Sequence, residues 1–131
     1  MIKIRGYIHS RPFMGERVPQ NIQNLVIRDY CEKNNLFYNL SASEYSMSNS
    51  HKILDQVIEE LKNLDGIVAY SLFQLPIDNK KRYTLLNQII KKKKNFYFAL
   101  ENMKLVNRDD LEKIENIWLI KKALPDCLKT I

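Results

Sequence analysis

The sequence predicts an α/β fold, a three-layer sandwich around a four-stranded, mostly parallel sheet in the order 2-1-3-4. Three observations carry this. Strand-length apolar runs alternate four times with longer runs whose apolar residues recur at helical spacing. The run Ile67 to Leu72 is continuously apolar in the manner of a central strand covered on both faces. The 131 residues contain no linker and no repeat, so residues 1–131 read as one domain whose crossovers are right-handed.

The elements follow in order. Ile2, Ile4 and Ile8 alternate with Lys3, Arg5 and Tyr7 in a first strand, Ile2 to Ile8. Pro19 suits the first turn of a helix, where its missing N–H costs nothing. Ile22, Leu25, Val26 and Tyr30 form that helix's apolar face, and Asn34-Asn35 ends it. Leu36 to Leu40 is a second strand that runs into the serine-rich SASEYSMSNS, a source of caps for a helix from about His51. Ile53, Leu54, Val57, Ile58 and Leu61 are its buried stripe. Asp65-Gly66 turns the chain into the third strand. Pro76, Asp78 and Asn79 open a third helix with Leu85, Leu86, Ile89 and Ile90 inward. Phe96 to Leu100 is the fourth strand. Asn107 caps the last helix, with Asp109 and Asp110 favourably placed in its first turn. Leu111, Ile114, Ile117 and Trp118 pack that helix down, and Pro125 stops it.

An apolar fraction of 45% with 27% charged residues is ordinary for a domain that buries its core without staples. No apolar run approaches the roughly 18 residues of a membrane span, and the N-terminus is strand-like, so a cytoplasmic protein without membrane contact is expected. Cys31 and Cys127 read as free thiols. His9 and His51 are single and no Cys/His cluster has ligand spacing, so no metal is expected. Gly6, Gly15 and Gly66 are far apart and give no dinucleotide fingerprint, so no cofactor is expected either. The net charge of +6 owes much to Lys80, Lys81, Arg82 and the run Lys91 to Lys94. These read as a solvated helix surface, with lysines complementing the helix dipole, rather than as a nucleic-acid face.

In open sheets of this kind ligands bind beyond the carboxyl ends of the strands, where strand order reverses. The segments leaving those ends are His9 to Arg17, Ser43 to Ser50, Phe73 to Asp78 and Glu101 to Asn107. The first contains HSRPFMGERVPQ, dense in polar groups. Arg11 and Arg17 suit phosphate or carboxylate, with Arg11 the principal charge and a helix N-terminus behind Pro19. Ser10 and Glu16 from the same loop, with Ser71 and Gln74 from the third strand's end, complete the expected substrate-binding set. His9, Glu44 and Tyr45 are the candidates for acid–base catalysis. Tyr70 is expected in the core or along the sugar side of the pocket. Phe13 and Met14 need cover, near Leu72, Phe73 and Leu75, which predicts a homo-oligomer. Cys31 lies on a helix away from the strand ends and is not an expected nucleophile.

Two family resemblances add to this reading. GYIHSR, NIQNLVIRDYC, SEYSMSNSHKIL and LKNLDGIVAYSLFQLPID resemble the catalytic domain of serine recombinases over most of residues 4 to 101. That implies a resolvase-like, flavodoxin-like architecture. The family's chemistry does not follow. Arg11 stands where the nucleophilic serine belongs, and Ser10 is one residue early. His9 replaces the first-strand arginine, and the helix-entry arginine falls near His51. Phe73-Gln74 replace an Asp-Arg pair, and Ile77 replaces a second arginine. Recombination needs that serine and those arginines to stabilise a phosphoryl transition state. Nearly the whole chain, above all SRPFMGERVPQNIQNLVIRDYC, SASEYSM and LDGIVAYSLFQLP, is similar to the bacterial sporadic carbohydrate cluster protein family. Members are associated with gene clusters for surface polysaccharides such as lipopolysaccharide O-antigens. The resemblance implies a protein of O-antigen or capsule biosynthesis that acts on or binds a sugar phosphate or nucleotide sugar, by acid–base chemistry with no bound cofactor. The alternative is a non-catalytic nucleic-acid-binding or scaffold module on a resolvase-like fold.

Overall fold

The structure, a computed structural model, describes residues 2–13, 17–44 and 50–129, without the side chains of 124–129. In chain order the elements are β1 (Lys3–His9), α1 (Gln20–Lys33), β2 (Phe37–Glu44), α2 (Lys52–Glu59), β3 (Gly66–Ala69), α3 (Asn79–Lys91), β4 (Asn95–Phe98), β5 (Met103–Leu105) and α4 (Arg108–Lys129). The strand order is β2-β1-β3-β4-β5. The first four strands are parallel, and β5 returns antiparallel to β4. The expected 2-1-3-4 core is therefore present with one strand added. Only three residues long, β5 falls below the length at which alternation is readable, and it is reached through a turn with Asn102 at φ 53°. No helix among the described residues is long and apolar enough to cross a membrane.

The chain reverses direction across the sheet after β2, so right-handed crossovers put α1 on one face and α2 and α3 on the other. The α1 face buries Ile4, Ile8, Val68 and Tyr97 against Ile27, Tyr30 and Cys31. The opposite face packs Tyr7, Ile67, Ala69, Phe96 and Phe98 under Leu54, Val57, Leu61, Leu86, Ile89, Leu111, Ile114 and Trp118. Every residue of β3 is buried, which is why that segment reads as an unbroken apolar run. Gly66 opens it, and a Cβ there would run into the backbone carbonyl of Asn95 on β4.

Several expectations need correction. The buried face of α1 is Gln23, Ile27, Tyr30 and Cys31, whereas Ile22 is 41% and Leu25 62% exposed. A core-facing glutamine, held by hydrogen bonds, sets the helix's rotation. Pro19 sits at the N-cap, and its carbonyl accepts from Ile22 and Gln23 N–H, both at 3.1 Å. β2 continues beyond Leu40 to Glu44 because the small polar residues Ser41 to Ser43 pair with β1 at the edge of the sheet. β3 ends at Ala69, and the chain then makes a 3-10 turn, Leu72–Gln74. α4 runs through Pro125 to Lys129, since a helix survives the loss of one backbone bond.

The largest correction concerns Arg82, which is not part of a solvated surface but is 1% exposed. Its guanidinium donates to Glu115 at 3.1 and 2.6 Å, to the carbonyls of Pro76 and Ile77 at 3.0 and 3.1 Å, and to Asn79 Oδ1 at 2.9 Å. It also lies 4.4 Å from the centre of the Trp118 ring. One side chain thus ties α3, α4 and the β3–α3 connection together.

Candidate functional site

Glu44 ends β2 directly beside His9, the end of β1. Its carboxylate accepts the N–H groups of Ile53 and Leu54 at 3.1 and 3.0 Å, in the first turn of α2. It also accepts the hydroxyls of Ser50 at 3.1 Å and Tyr7 at 2.9 Å. The place an external anion would take at this helix start is filled by the chain's own carboxylate.

The Tyr7 hydroxyl has one proton, and it goes to Glu44. The 3.0 Å contact between that oxygen and His9 Nε2 therefore has the imidazole as donor. This leaves His9 Nδ1 unprotonated, and among the described residues it has no hydrogen-bond partner. Burial first, then the nearby charges of Arg11 and His51, lower the His9 pKa from 6.5 to about 3. Burial, reinforced by Glu44, holds the Tyr7 hydroxyl far above its usual range. Both groups stay neutral around pH 7.

A pH effect follows. His9 is neutral when folded and protonates near 6.5 once unfolded. The unfolded chain thus binds the extra proton between pH 6.5 and about 3. Stability is full above 6.5 and is lost as pH falls through that window, by at most about 1.4 kcal/mol per pH unit. Denaturant unfolding at pH 7 and pH 5 should show this loss. A His9→Gln variant should show a smaller one, and an unchanged pH dependence in that variant would count against the assignment.

From His9 the hydrogen bonding continues across the sheet's carboxyl edge. Gln23 on α1 accepts from His9 N–H at 3.0 Å and donates to the carbonyls of His9 and Val18, both at 2.8 Å. Gln74 Nε2 donates to Gln23 Oε1 at 2.8 Å, and Gln74 Oε1 accepts Ser71 N–H at 3.3 Å. The Ser71 hydroxyl donates to Glu101 at 2.7 Å and accepts from Phe73 N–H at 3.1 Å, while Leu72 N–H reaches Glu101 at 3.0 Å. A chain of Glu44, Tyr7, His9, Gln23, Gln74, Ser71 and Glu101, buried except at Glu101, thus spans the edge. The Gln23–Gln74 bond closes the crevice between β1 and β3, where the strand order reverses. Tyr7, Gln23 and Glu101 had escaped sequence reasoning. The spacing 23, 27, 30 marks Gln23 as core-facing, and that was the available signal.

The structure thus brings His9, Glu44, Ser71 and Gln74 together, each at most 2% exposed. Ser10 is exposed, and its hydroxyl donates to the Glu44 carbonyl at 2.9 Å. Arg11 donates to the Ser50 carbonyl at 2.8 Å, which ties the first loop to the approach of α2. Arg17 is exposed. Glu16 and Tyr45 lie outside the described residues, as does Met14. Phe13 needs no partner for cover: it is 8% exposed and packs edge-on to His9 and Tyr70. Leu72 and Leu75 are buried within the chain as well, and Tyr70 belongs to the core. Burial pushes the Cys31 thiol up to about 11, which makes it a poor nucleophile. The side chain of Cys127 lies outside the described residues.

Open space lies on both sides of this hydrogen-bonded wall. A cleft of about 770 Å³ separates α2 from α3, lined by Ser50, His51, Lys52, Asp55, Asp78, Lys80, Lys81, Thr84 and Gln88. His51 stands at its inner end, donates through Nε2 to the Gln74 carbonyl at 3.3 Å and packs edge-on to His9. Past Asp55 and Gln88 the cleft continues as a hollow of about 520 Å³ bounded by Glu59, Lys91 and Lys92. On the α1 face a smaller aromatic hollow of about 310 Å³ is lined by Phe13, Tyr70, Phe73, Leu100, Glu101 and Lys121. Among the described residues no three His, Cys, Asp or Glu side chains group as a metal site.

No protein-family model and no curated protein matches the chain. Solved structures do. The N-terminal catalytic domain of TP901-1 integrase superposes with a TM-score of 0.63 at 15% identity, over 96% of this chain and 97% of that one. A resolvase family site-specific recombinase from Streptococcus pneumoniae gives 0.61 at 10% identity, over 99% and 98%. At such identities the likeness is one of fold. The chain has a resolvase-like α/β architecture along essentially its whole length.

Proposed function

We propose that the protein binds a sugar phosphate or nucleotide sugar in the cleft between α2 and α3, and that it serves bacterial surface-polysaccharide biosynthesis by acid–base chemistry without a cofactor. The observation that carries the binding is the collection of Lys52, Lys80 and Lys81 around one open cleft at the carboxyl side of the sheet. None of the three is ion-paired among the described residues. The starts of both flanking helices are already occupied by carboxylates, α2 by Glu44 and α3 by Asp78, which accepts Lys81 N–H at 2.9 Å. Attraction for an anion therefore rests on side-chain charge rather than on helix ends. The pathway is supported by the similarity of SRPFMGERVPQNIQNLVIRDYC and LDGIVAYSLFQLP to the sporadic carbohydrate cluster family.

In this reading Arg11, tied to the Ser50 carbonyl at the approach of α2, supplies charge beside the cleft; Ser10, Glu16, Arg17 and Gln74 are the other proposed ligand-binding groups, whereas Ser71 opens onto the aromatic hollow. His9 and Glu44, sealed in the hydrogen-bonded wall, act only through His51, the imidazole that meets the ligand, and Tyr45 is the remaining proposed acid–base residue. A thermal-shift screen against sugar phosphates and nucleotide sugars tests it, since a ligand at 100 times its dissociation constant stabilises by about 2.7 kcal/mol. Arg11→Ala should remove most of the shift, because a charge-assisted contact contributes on the order of 1.5–3 kcal/mol. The unliganded melting point should fall only by the few degrees that one hydrogen bond is worth. A screen with no shift from any such ligand sinks the reading.

The recombinase-like fold and the exposed lysines at the end of α3 favour the second reading, a nucleic-acid-binding or scaffold module. Salt-sensitive DNA binding without any sugar-phosphate shift would select it. Under either reading the protein should form no covalent DNA adduct, since Arg11 stands at the nucleophile's place and the Ser10 hydroxyl is tied to Glu44. Trapping of a Ser10–DNA adduct on a denaturing gel would overturn that expectation.

A further inference from the structure

Beyond its mouth, where Lys52 stands on α2 and Asp78 caps α3, the α2/α3 groove has walls of opposite sign. On α2, Asp55 and Glu59 stand four residues apart and so share one helix face. On α3, Lys81 and Lys91 line the other side, with Thr84 and Gln88 between them and Lys92 just past the helix end. These charged groups are all exposed, yet no ion pair crosses the groove among the described residues. No ammonium of the α3 side contacts a carboxylate of α2 directly among the described residues, so each keeps hydrogen-bonding capacity for something placed between them. A ligand that satisfies both must accept bonds on one side and donate them on the other.

A phosphorylated neutral sugar has this polarity. Its phosphate accepts from ammonium groups, and its ring hydroxyls donate to carboxylates. A sugar carrying a carboxylate in place of its primary alcohol would bring a negative charge against Asp55 and Glu59, and that repulsion is a means of discrimination. Resting on the sugar-phosphate reading above, we propose that the groove holds its ligand crosswise, phosphate on the α3 lysines and ring hydroxyls on Asp55 and Glu59. Asp55 is then the residue that selects a neutral hexose phosphate over a uronic acid phosphate.

Titration calorimetry of the full chain can decide this. The probes are the 1-phosphates of glucose, galactose and mannose, their 6-carboxylate counterparts, and inorganic phosphate. At least one neutral hexose phosphate should bind roughly tenfold or more tighter than its uronic counterpart and than inorganic phosphate. Asp55→Asn should bring that pair to within about threefold, chiefly by improving the uronate, and Glu59→Gln should act in the same direction. Lys81→Ala should weaken both sugars about tenfold and leave their ratio unchanged. Circular dichroism and melting curves confirm that each variant is folded, and Glu59→Gln stands in should Asp55→Asn fail to fold. Equal binding of neutral and uronic forms by the native chain overturns the orientation and leaves the sugar-phosphate reading standing. So does a preference that persists unchanged in both α2 variants. Absence of binding by every sugar phosphate overturns both.

Discussion

Replacing Arg82 by alanine should lower the unfolding free energy by about 3–5 kcal/mol, as expected when one partner of a buried ion pair is removed. The guanidinium is 1% exposed, and Glu115 is only partly exposed. Truncation leaves the Pro76 carbonyl and the Glu115 carboxylate without their donor and the Ile77 carbonyl with only its bond from Lys122, and it takes the nearer cation from the face of Trp118. Arg82→Lys should recover part of the loss, because an ammonium keeps the charge but cannot reproduce the planar fork that reaches five acceptor contacts. Glu115→Gln should cost about 1 kcal/mol, since that end of the pair meets solvent. Urea unfolding of the three variants checks the ranking. A loss below about 1 kcal/mol in Arg82→Ala would show that the α3–α4 contact stands without it.

Glu44→Ala should cost about as much, roughly 3–4 kcal/mol, by a different route. The carboxylate serves two amide donors of α2 and the hydroxyls of Tyr7 and Ser50. Alanine leaves Tyr7, which has no access to water, and the start of α2 without acceptors, and breaking a buried network is among the few routes to losses of this size. Glu44→Gln should cost less, because one oxygen survives while the new amide faces donors. A double-mutant cycle with Tyr7→Phe should give a coupling of about 1 kcal/mol or more. Additive effects would mean that Tyr7 and Glu44 act independently.

What the sequence disclosed was governed by repetition. Four rounds of strand and helix, with one continuously apolar strand, were enough to place the 2-1-3-4 sheet and to name the edge where Glu44, His9, Ser71 and Gln74 meet. What it hid was decided by single side chains acting against their type. Arg82, inside KKRY, looked like one more surface charge, although it stands three, four and seven residues before Leu85, Leu86 and Ile89 on the inward face. Gln23 turned α1 so that Ile22 and Leu25 point outward. β5 owes its existence to a turn and three residues, too few to leave a period. His9, Glu44, Ser71 and Gln74 meet at that edge, but composition could not say that they would satisfy one another and leave the open space to Lys52, Lys80 and Lys81.

The Gln23–Gln74 bond makes the sheet edge a watershed. Gln74 receives His51 on its carbonyl from the α2/α3 side, and its side chain holds the backbone of Ser71, whose hydroxyl meets Glu101 in the aromatic hollow opposite. The two hollows therefore share one hydrogen-bonded residue. A guest that displaced this amide from one side would alter the shape offered on the other. Thermodynamic reciprocity then requires the second guest to affect the first by the same factor.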